Sequence, residues 1–234
     1  QNPVVIGWTG TFSSMMYLDL LKNVFYELNK RVKFKLRIIG NFNYDLPGID
    51  LEVIQWTKEN EITDLQEIDI GVYPLTQDKW VLGKSGLKAL QYMALGLPTV
   101  ATNVGTNPII ISHMKNGWLV KTEEDWVEAL ESLINNSNLR AKIGAEARKT
   151  IIENYSLNSD FEKLLSDRGL EKTDVDQGLI TDNEGITDEI STKAFNANIN
   201  ELTGPVDSPF GPSLIFVREI IPEKEMLLDE VRAE

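Results

Sequence analysis

The chain has 234 residues, 42% hydrophobic and 25% charged, with 23 basic and 36 acidic side chains and a formal charge of −13. This is the composition of an ordinary folded protein of one large or two small domains, and no apolar run reaches the ~18 residues that a membrane span requires. With no cysteine and one histidine, His113, the sequence argues against disulfides, thiolate catalysis, zinc–cysteine sites and a serine–histidine triad.

The first residues run straight into a strand, Val4 to Gly7, a β-branched run closed by glycine. Leu18, Leu21, Phe25 and Leu28 then form the apolar stripe of a helix over Tyr17 to Asn29. Strands are expected at Phe34 to Gly40, Leu51 to Trp56 and Asp69 to Pro74, with a short helix over Glu61 to Glu67. A helix from Ser85 follows, with Ser85 as its cap, Leu87, Leu90 and Tyr92 to Ala94 on its apolar faces, and Gly96 and Pro98 ending it. A strand at Thr99 to Thr102, a helix over Pro108 to Lys115 and a strand at Trp118 to Val120 continue the alternation. Thr122 with Asp125 three residues on caps one helix, and Ser137 caps another that ends near Tyr155. Such alternation predicts an α/β fold, a Rossmann-like parallel sheet covered on both faces, with ligand at the carboxyl ends of the strands.

Two composition measures change near Asn158. Residues 1–157 carry 16 basic and 18 acidic side chains, whereas 158–234 carry 7 and 18, and every tryptophan and tyrosine lies in the first part. Residues 1–157 and 158–234 are therefore expected to be separate domains. The second reads as a small acidic α+β domain: a helix over 160–167, a strand over 177–181, a helix from Asp188 to Asn198, strands at Pro205 to Ser208 and Leu214 to Ile220 around a PFGP turn, and a last helix opened by Pro222. Its acidity argues against nucleic acid as a partner of the whole chain. The acidic run reads most simply as a solvated surface, and Asp174 with Asp176 lacks the ligand count of a calcium loop.

The most informative stretch is Gly83 to Gly105, GKSGLKALQYMALGLPTVATNVG. Lys84, Ser85 and Lys88 are expected on the first turn of a helix, where the dipole disfavours cations unless an anion is bound. The same spacing also fits two solvated lysines on an amphipathic helix. Among the other polar and aromatic residues, Trp56 at a strand's end suits either base stacking or a core, and Asp78, Lys79 and Trp80 stand in a loop of the kind that carries binding residues. His113 reads as a packed or surface histidine rather than a catalytic base.

GWTG, DIGVYPL, GKSGLKALQYM, GLPTVATNVGTNPII, NGWLV, EEDWVEAL and LRAKIGAEARKTIIENYSL, in this order and spacing, resemble the C-terminal, nucleotide-sugar-binding half of a two-Rossmann-domain glycosyltransferase, the large retaining family 4. The resemblance spans residues 3–157. It implies a nucleoside-diphosphate sugar as substrate, with no cofactor and no metal. The diphosphate would be held by the Gly7, Gly10, Thr11, Ser13, Ser14 loop and by Lys84, Ser85 and Lys88, and the ribose would sit near Gln91. It also implies a partner, the acceptor-binding domain that should precede residue 1, and hence a chain that does not complete transfer alone. The family usually carries two glutamates eight positions apart; here those positions hold Gly83 and Gln91, with Asp78 as a nearby substitute carboxylate. The KxGxKxxQYM pattern resembles that of one subgroup.

AFNANINELTGPVDSPFGPSLIFVREI resembles the later half of a parvulin-type peptidyl-prolyl isomerase domain, with Phe195 and Phe210 on apolar positions. Ser213 stands in place of the closing strand's histidine, and the opening strand is missing, which implies a fragment or a non-catalytic relative. The alternative function is thus a chaperone-like, peptide-binding module over 158–234. The first resemblance implies the cytoplasmic side, at most the inner membrane surface, and the second the periplasm; a fusion of the two is one way to join them.

Overall fold

The computed structural model describes residues 3–79, 81–156, 159, 163, 166, 167, 187–199, 201–208 and 211–220. The chain divides into two compact units, Gln1–Glu153 and Asn154–Glu234.

In the first unit, six strands form one parallel sheet: β1 (Val4–Thr9), β2 (Phe34–Ile39), β3 (Leu51–Ile54), β4 (Ile70–Tyr73), β5 (Thr99–Thr102) and β6 (Trp118–Val120), in the order β3-β2-β1-β4-β5-β6. β1 runs two residues past the expected glycine because its pairing with β2 continues through Trp8↔Ile38 and Thr9↔Ile39, and both Trp8 and Thr9 are buried. The stripe Leu18, Leu21, Phe25, Leu28 is buried as expected. It lies not on one helix but on α1 (Met15–Leu18), a 3₁₀ turn (Asp19–Leu21) and α2 (Lys22–Arg31). Across the tighter turn the stripe advances by three, from Leu18 to Leu21, the period at which 3₁₀ side chains eclipse.

α3 (Glu61–Gln66), α4 (Leu87–Ala94), α5 (Asn107–Ile110), α6 (Glu123–Asn135) and α7 (Ser137–Asn154) complete the unit. α6 opens on the expected capping box: the Asp125 amide donates to Thr122 Oγ1 at 3.1 Å, and the Thr122 amide to Asp125 Oδ2 at 3.0 Å. At α7 the cap is Asn136 rather than Ser137, its Oδ1 accepting the Leu139 amide at 2.9 Å. α5 is shorter than expected. The Ser112 amide, which would extend it, donates instead to Asn116 Oδ1 at 2.7 Å, and Met114 takes a left-handed φ of 63°. His113 consequently lies in a loop, where its Nδ1 accepts the Leu119 amide at 3.1 Å.

The core has two faces. α2 and α6 cover Ile6, Leu36, Ile38, Val72 and Val100 on one side. On the other, two smaller clusters join α3, α4, α5 and α7 to Ile39, Tyr73 and Ala101. Here Gly7 and Gly71 stand side by side in register, and a Cβ added to either would lie 2.2 Å from Ile68 Cδ1 or 2.5 Å from the Tyr92 ring. Gly7, expected in the loop after β1, lies instead inside the strand, packed against Ile68.

The second unit contains α8 (Asp188–Phe195), capped by Thr187 Oγ1 accepting the Ile190 amide at 3.2 Å, and an antiparallel hairpin of β7 (Leu202–Ser208) and β8 (Gly211–Phe216). Val206 pairs with Ser213, and Ile190, Ala197 and Val206 are buried. Phe195, expected on an apolar position, is 54% exposed. Trp80, Phe210, Asp174, Asp176, the expected strand over 177–181 and the helix from Pro222 lie outside the described residues, as does most of the helix over 160–167.

Candidate functional site

In the order β3-β2-β1-β4-β5-β6 the chain is laid outward from β1 in one direction and then from β4 in the other. The loops leaving β1 and β4 diverge, and the crevice between them is where a doubly wound sheet takes its ligand. Both loops carry residues singled out from sequence.

The β1 loop is tied down locally. The Gly10 amide donates to the Ile39 carbonyl at 3.0 Å, and Ser14 Oγ both accepts the Thr11 amide at 3.0 Å and donates to the Thr11 carbonyl at 2.9 Å. A Cβ at Gly10 would come within 2.3 Å of the Trp8 ring. These bonds leave Thr11 and Ser13 exposed at a 3₁₀ turn, Phe12–Ser14, their hydroxyls 3.0 Å apart. The amides that open such a turn have no acceptor within it.

The β4 loop is held from within and from the next connection. Asp78 accepts the Val81 amide at 3.1 Å on one carboxylate oxygen and the Thr76 hydroxyl on the other, so its carboxylate is already engaged. Thr106 Oγ1 donates to the Lys84 carbonyl at 2.9 Å. Gly86 then takes a φ of 74° and is the N-cap of α4; a Cβ there would lie 2.4 Å from Ile110 Cδ1. The helix thus begins at Leu87. Ser85 is exposed and does not cap it, Lys84 precedes the helix, and Lys88 alone of the three lies in its first turn. Leu87, expected on an apolar face, is 59% exposed, whereas Ala89, Tyr92 and Met93 are buried. Tyr92 lies against Gly71 and accepts the Thr9 amide on its hydroxyl oxygen at 2.9 Å, which couples α4 to the end of β1.

That placement brings the two lysines over aromatic rings. Lys84 Nζ stands 4.8 Å from the centre of the Tyr17 ring; Lys88 Nζ is 5.8 Å from both the Trp8 and the Tyr73 rings. Trp8 is in β1 one residue from its end and Tyr73 closes β4, so the rings come from both sides of the switch point. Burial, and then the charge of Lys84, lower the Lys88 pKa from its ordinary 10.5; burial, and then Tyr17, raise that of Tyr73. Neither lysine forms an ion pair with a carboxylate among the described residues. The ring faces attract a cation by ~0.5 to 2 kcal/mol each, which offsets part of the burial cost but supplies no negative charge.

Gln91 lies one turn beyond Lys88 on α4 and donates through Nε2 to Glu61 Oε1, 3.3 Å away at the start of α3. Trp56 lies two residues past β3, the outer edge strand, and is 37% exposed. Gly83 faces open space, with nothing within 4 Å of an added Cβ. Tyr17, Tyr73 and Glu61 stand beside the expected site residues without having been singled out from sequence, whereas Trp8 was, as the first residue of the loop Trp8 to Ser14; Tyr73 had a signal, since it closes an apolar strand.

Two cavities elsewhere do not compete. One of about 400 Å³ beside β6 is lined by His113, Trp118, Asp125 and Glu128, but the Asp125 carboxylate is taken up by the α6 cap. The other, about 590 Å³, reaches Val4 and Asp69 at the amino ends of β1 and β4, the wrong end of the sheet for a ligand. Among the described residues no group of three metal-ligating side chains converges, and no helix is long and apolar enough to cross a membrane.

Residues 1–150 match the family described as glycosyl transferases group 1, and residues 133–233 match the PPIC-type PPIase domain. The matches overlap over helical residues whose Leu133 and Ile143 belong to the core of the first unit. The chain is 29% identical over 143 residues to spore coat protein SA of Bacillus subtilis (strain 168), covering 60% of this chain and 36% of that protein. It is 36% identical over 84 residues to a poly(ribitol-phosphate) alpha-N-acetylglucosaminyltransferase of Staphylococcus aureus (strain COL), covering 35% of this chain and 17% of that one. The chain thus spans little more than a third of these relatives at most. Among solved structures, a mutant of S. aureus TarM in complex with fondaparinux, alpha-GlcNAc-glycerol and UDP aligns with a TM-score of 0.53 at 24% identity, covering 71% of this chain and 35% of TarM. The C-terminal domain of a group 1 glycosyl transferase, LpcC, from Francisella tularensis aligns at 0.52 and 22%, covering 65% of this chain and 86% of that domain. These likenesses bear on fold, and the fold they share is the doubly wound sheet built here around the β1–β4 crevice. With residues 1–150 of 234 matched by the family, the chain belongs to the group 1 glycosyl transferases.

Proposed function

We propose that the first unit is the donor-binding half of a glycosyltransferase and that its β1–β4 crevice holds a nucleoside-diphosphate sugar. The observation that carries this reading is the pair Lys84 and Lys88, seated on Tyr17, Trp8 and Tyr73 at the switch point without a carboxylate partner among the described residues. The diphosphate lies between these ammonium groups and the Gly10, Thr11, Ser13 turn, with the ribose near Gln91 and Trp56 available to the base. Ser85, exposed beside Lys84, adds a hydroxyl at the rim. The lysines and the α4 N-terminus offset charge on the leaving diphosphate, so the chemistry requires no metal. Retaining transfer also needs the sugar enclosed and an acceptor hydroxyl oriented, terms that supply ~7 to 11 kcal/mol of a barrier. We assign those to an acceptor-binding domain outside these 234 residues, so the chain alone binds donor without turnover.

Calorimetric titration with uridine, guanosine and adenosine diphosphates tests the reading. Replacing Lys84 and Lys88 by alanine should weaken the best diphosphate by about 1.5 to 3 kcal/mol for each charged hydrogen bond lost, roughly ten- to hundredfold each. Free diphosphate and its sugar conjugate should bind alike. Unchanged affinity in the double variant, or sustained product formation by the unmodified chain, would refute it.

The match of residues 133–233 to the PPIC-type domain favours a second reading for the other unit, a peptide-binding module. We propose that it does not catalyse isomerisation, because Ser213 on β8 replaces the histidine of the parvulin pattern. A protease-coupled assay on a proline peptide should then show only the uncatalysed rate, tens to hundreds of seconds; acceleration lost in Ser213→Ala would overturn this.

A further inference from the structure

Lys88 is placed as a reactive amine as well as a cation. Its Nζ is half-buried, 5.8 Å from both the Trp8 and the Tyr73 rings, and Lys84, four positions earlier in the chain, stands 4.8 Å from the Tyr17 ring. Among the described residues no carboxylate pairs with either lysine, and burial raises the Tyr73 pKa, so that phenol stays uncharged and supplies no anion in its place. The ammonium form of Lys88 is therefore poorly supported, and burial, then the charge of Lys84, lower its pKa. Desolvation and a neighbouring cation are the two arrangements that turn a lysine into a nucleophile.

A reagent suited to an amine beside a second cation carries an electrophilic carbon joined through one oxygen to a phosphate, which describes an acyl phosphate. We propose that Lys88 Nζ is acylated by acyl phosphates whose phosphate group is held by Lys84 and the Thr11, Ser13 turn, and that this modification closes the crevice to the donor diphosphate. The lone pair of the neutral amine forms the new bond to the acyl carbon. The bond from that carbon to the phosphate oxygen breaks, inorganic phosphate leaves with its electron pair, and the proton shed by nitrogen passes to solvent. The product is an uncharged amide. Burial against Trp8 and Tyr73 no longer opposes it, and the repulsion from Lys84 is gone, while one of the two cations that attract a diphosphate has been removed. This rests on the donor-binding reading above, whose anion pole it uses.

Incubation of the whole chain with acetyl phosphate in mildly alkaline buffer, followed by peptide mass spectrometry of acetylated lysines, tests it. Lys142, exposed on α7, is the internal reference. Holding the phosphate beside the amine should make Lys88 react at least about tenfold faster than Lys142, and uridine, guanosine or adenosine diphosphate should suppress the reaction at Lys88 alone. Acetic anhydride, which carries no phosphate, should show a clearly smaller preference for Lys88. Lys84→Ala should slow acetyl phosphate at Lys88 and leave Lys142 unchanged, with an unaltered circular dichroism spectrum reporting an intact fold. Acetylation of Lys88 no faster than that of Lys142, or the same preference with acetic anhydride, would overturn the acyl-phosphate site while leaving calorimetric binding of diphosphates standing. Phosphate-guided acetylation that no diphosphate suppresses would overturn the donor reading, and the competition with it.

Discussion

Burial against Trp8 and Tyr73, and then the charge of Lys84, hold Lys88 below its ordinary pKa of 10.5. The unfolded chain therefore binds this proton more tightly than the folded one. Below the lowered value both states are protonated and the full cost is present; as pH rises from there toward 10.5 the folded state gives up the proton first, and this group's contribution to stability increases. On the proposed reading, a bound diphosphate reverses the shift by placing negative charge beside the ammonium. Binding in that alkaline window should then take up protons, measured as a dependence of calorimetric heat on the ionisation enthalpy of the buffer. Lys88→Ala should abolish the dependence; its persistence would place the titrating group elsewhere.

At the scale of elements, the site depends on how α4 meets the sheet. Gly7 and Gly71 clear a smooth strip on which Ile68 and Tyr92 lie, and the Tyr92 hydroxyl satisfies the buried Thr9 amide just before the Phe12–Ser14 turn. Tyr92→Phe keeps the ring but strands that amide, so it should cost about 1 to 3 kcal/mol in urea unfolding and also weaken diphosphate binding. Thr122→Ala, which breaks the capping box of α6 on the opposite face, should cost about 1 kcal/mol and leave binding untouched. Equal effects of the two on binding would mean that α4 is not what positions the lysines.

For the whole molecule, the division after Glu153 sets the expectation for proteolysis. Chain crossing between compact units carries few contacts and opens at lower free energy than a core. Limited digestion should first cut at about residues 155 to 160 and leave a fragment containing the six-stranded sheet that retains diphosphate affinity. First cuts between Thr99 and Val120 would show that the two units share one core.

The order of strands and helices in the first unit was legible in the sequence because it rests on local patterns: the β-branched run of β1, the stripe from Leu18 to Leu28, the Thr122–Asp125 box and the Gly96 stop, whose φ is 71°. The lysines were expected on the first turn of a helix; Lys88 lies there, and Lys84 precedes it. Capping at α4 and α7 was not legible: at α7 Asn136, one residue before Ser137, takes the Leu139 amide, and at α4 the left-handed Gly86, packed against Ile110, opens the helix with no side-chain cap. Gly7 looked like a loop residue and lies packed within β1, against an Ile68 that is 61 residues distant in sequence. The aromatic seats under Lys84 and Lys88, and the Glu61 carboxylate beside Gln91, come from separate connections that meet only when β1 and β4 lie side by side. Local patterning by itself determined the elements and the family resemblance they carry. Which side chains share the crevice was decided by tertiary structure alone, because strand order is set by long-range burial that no single stretch of sequence contains.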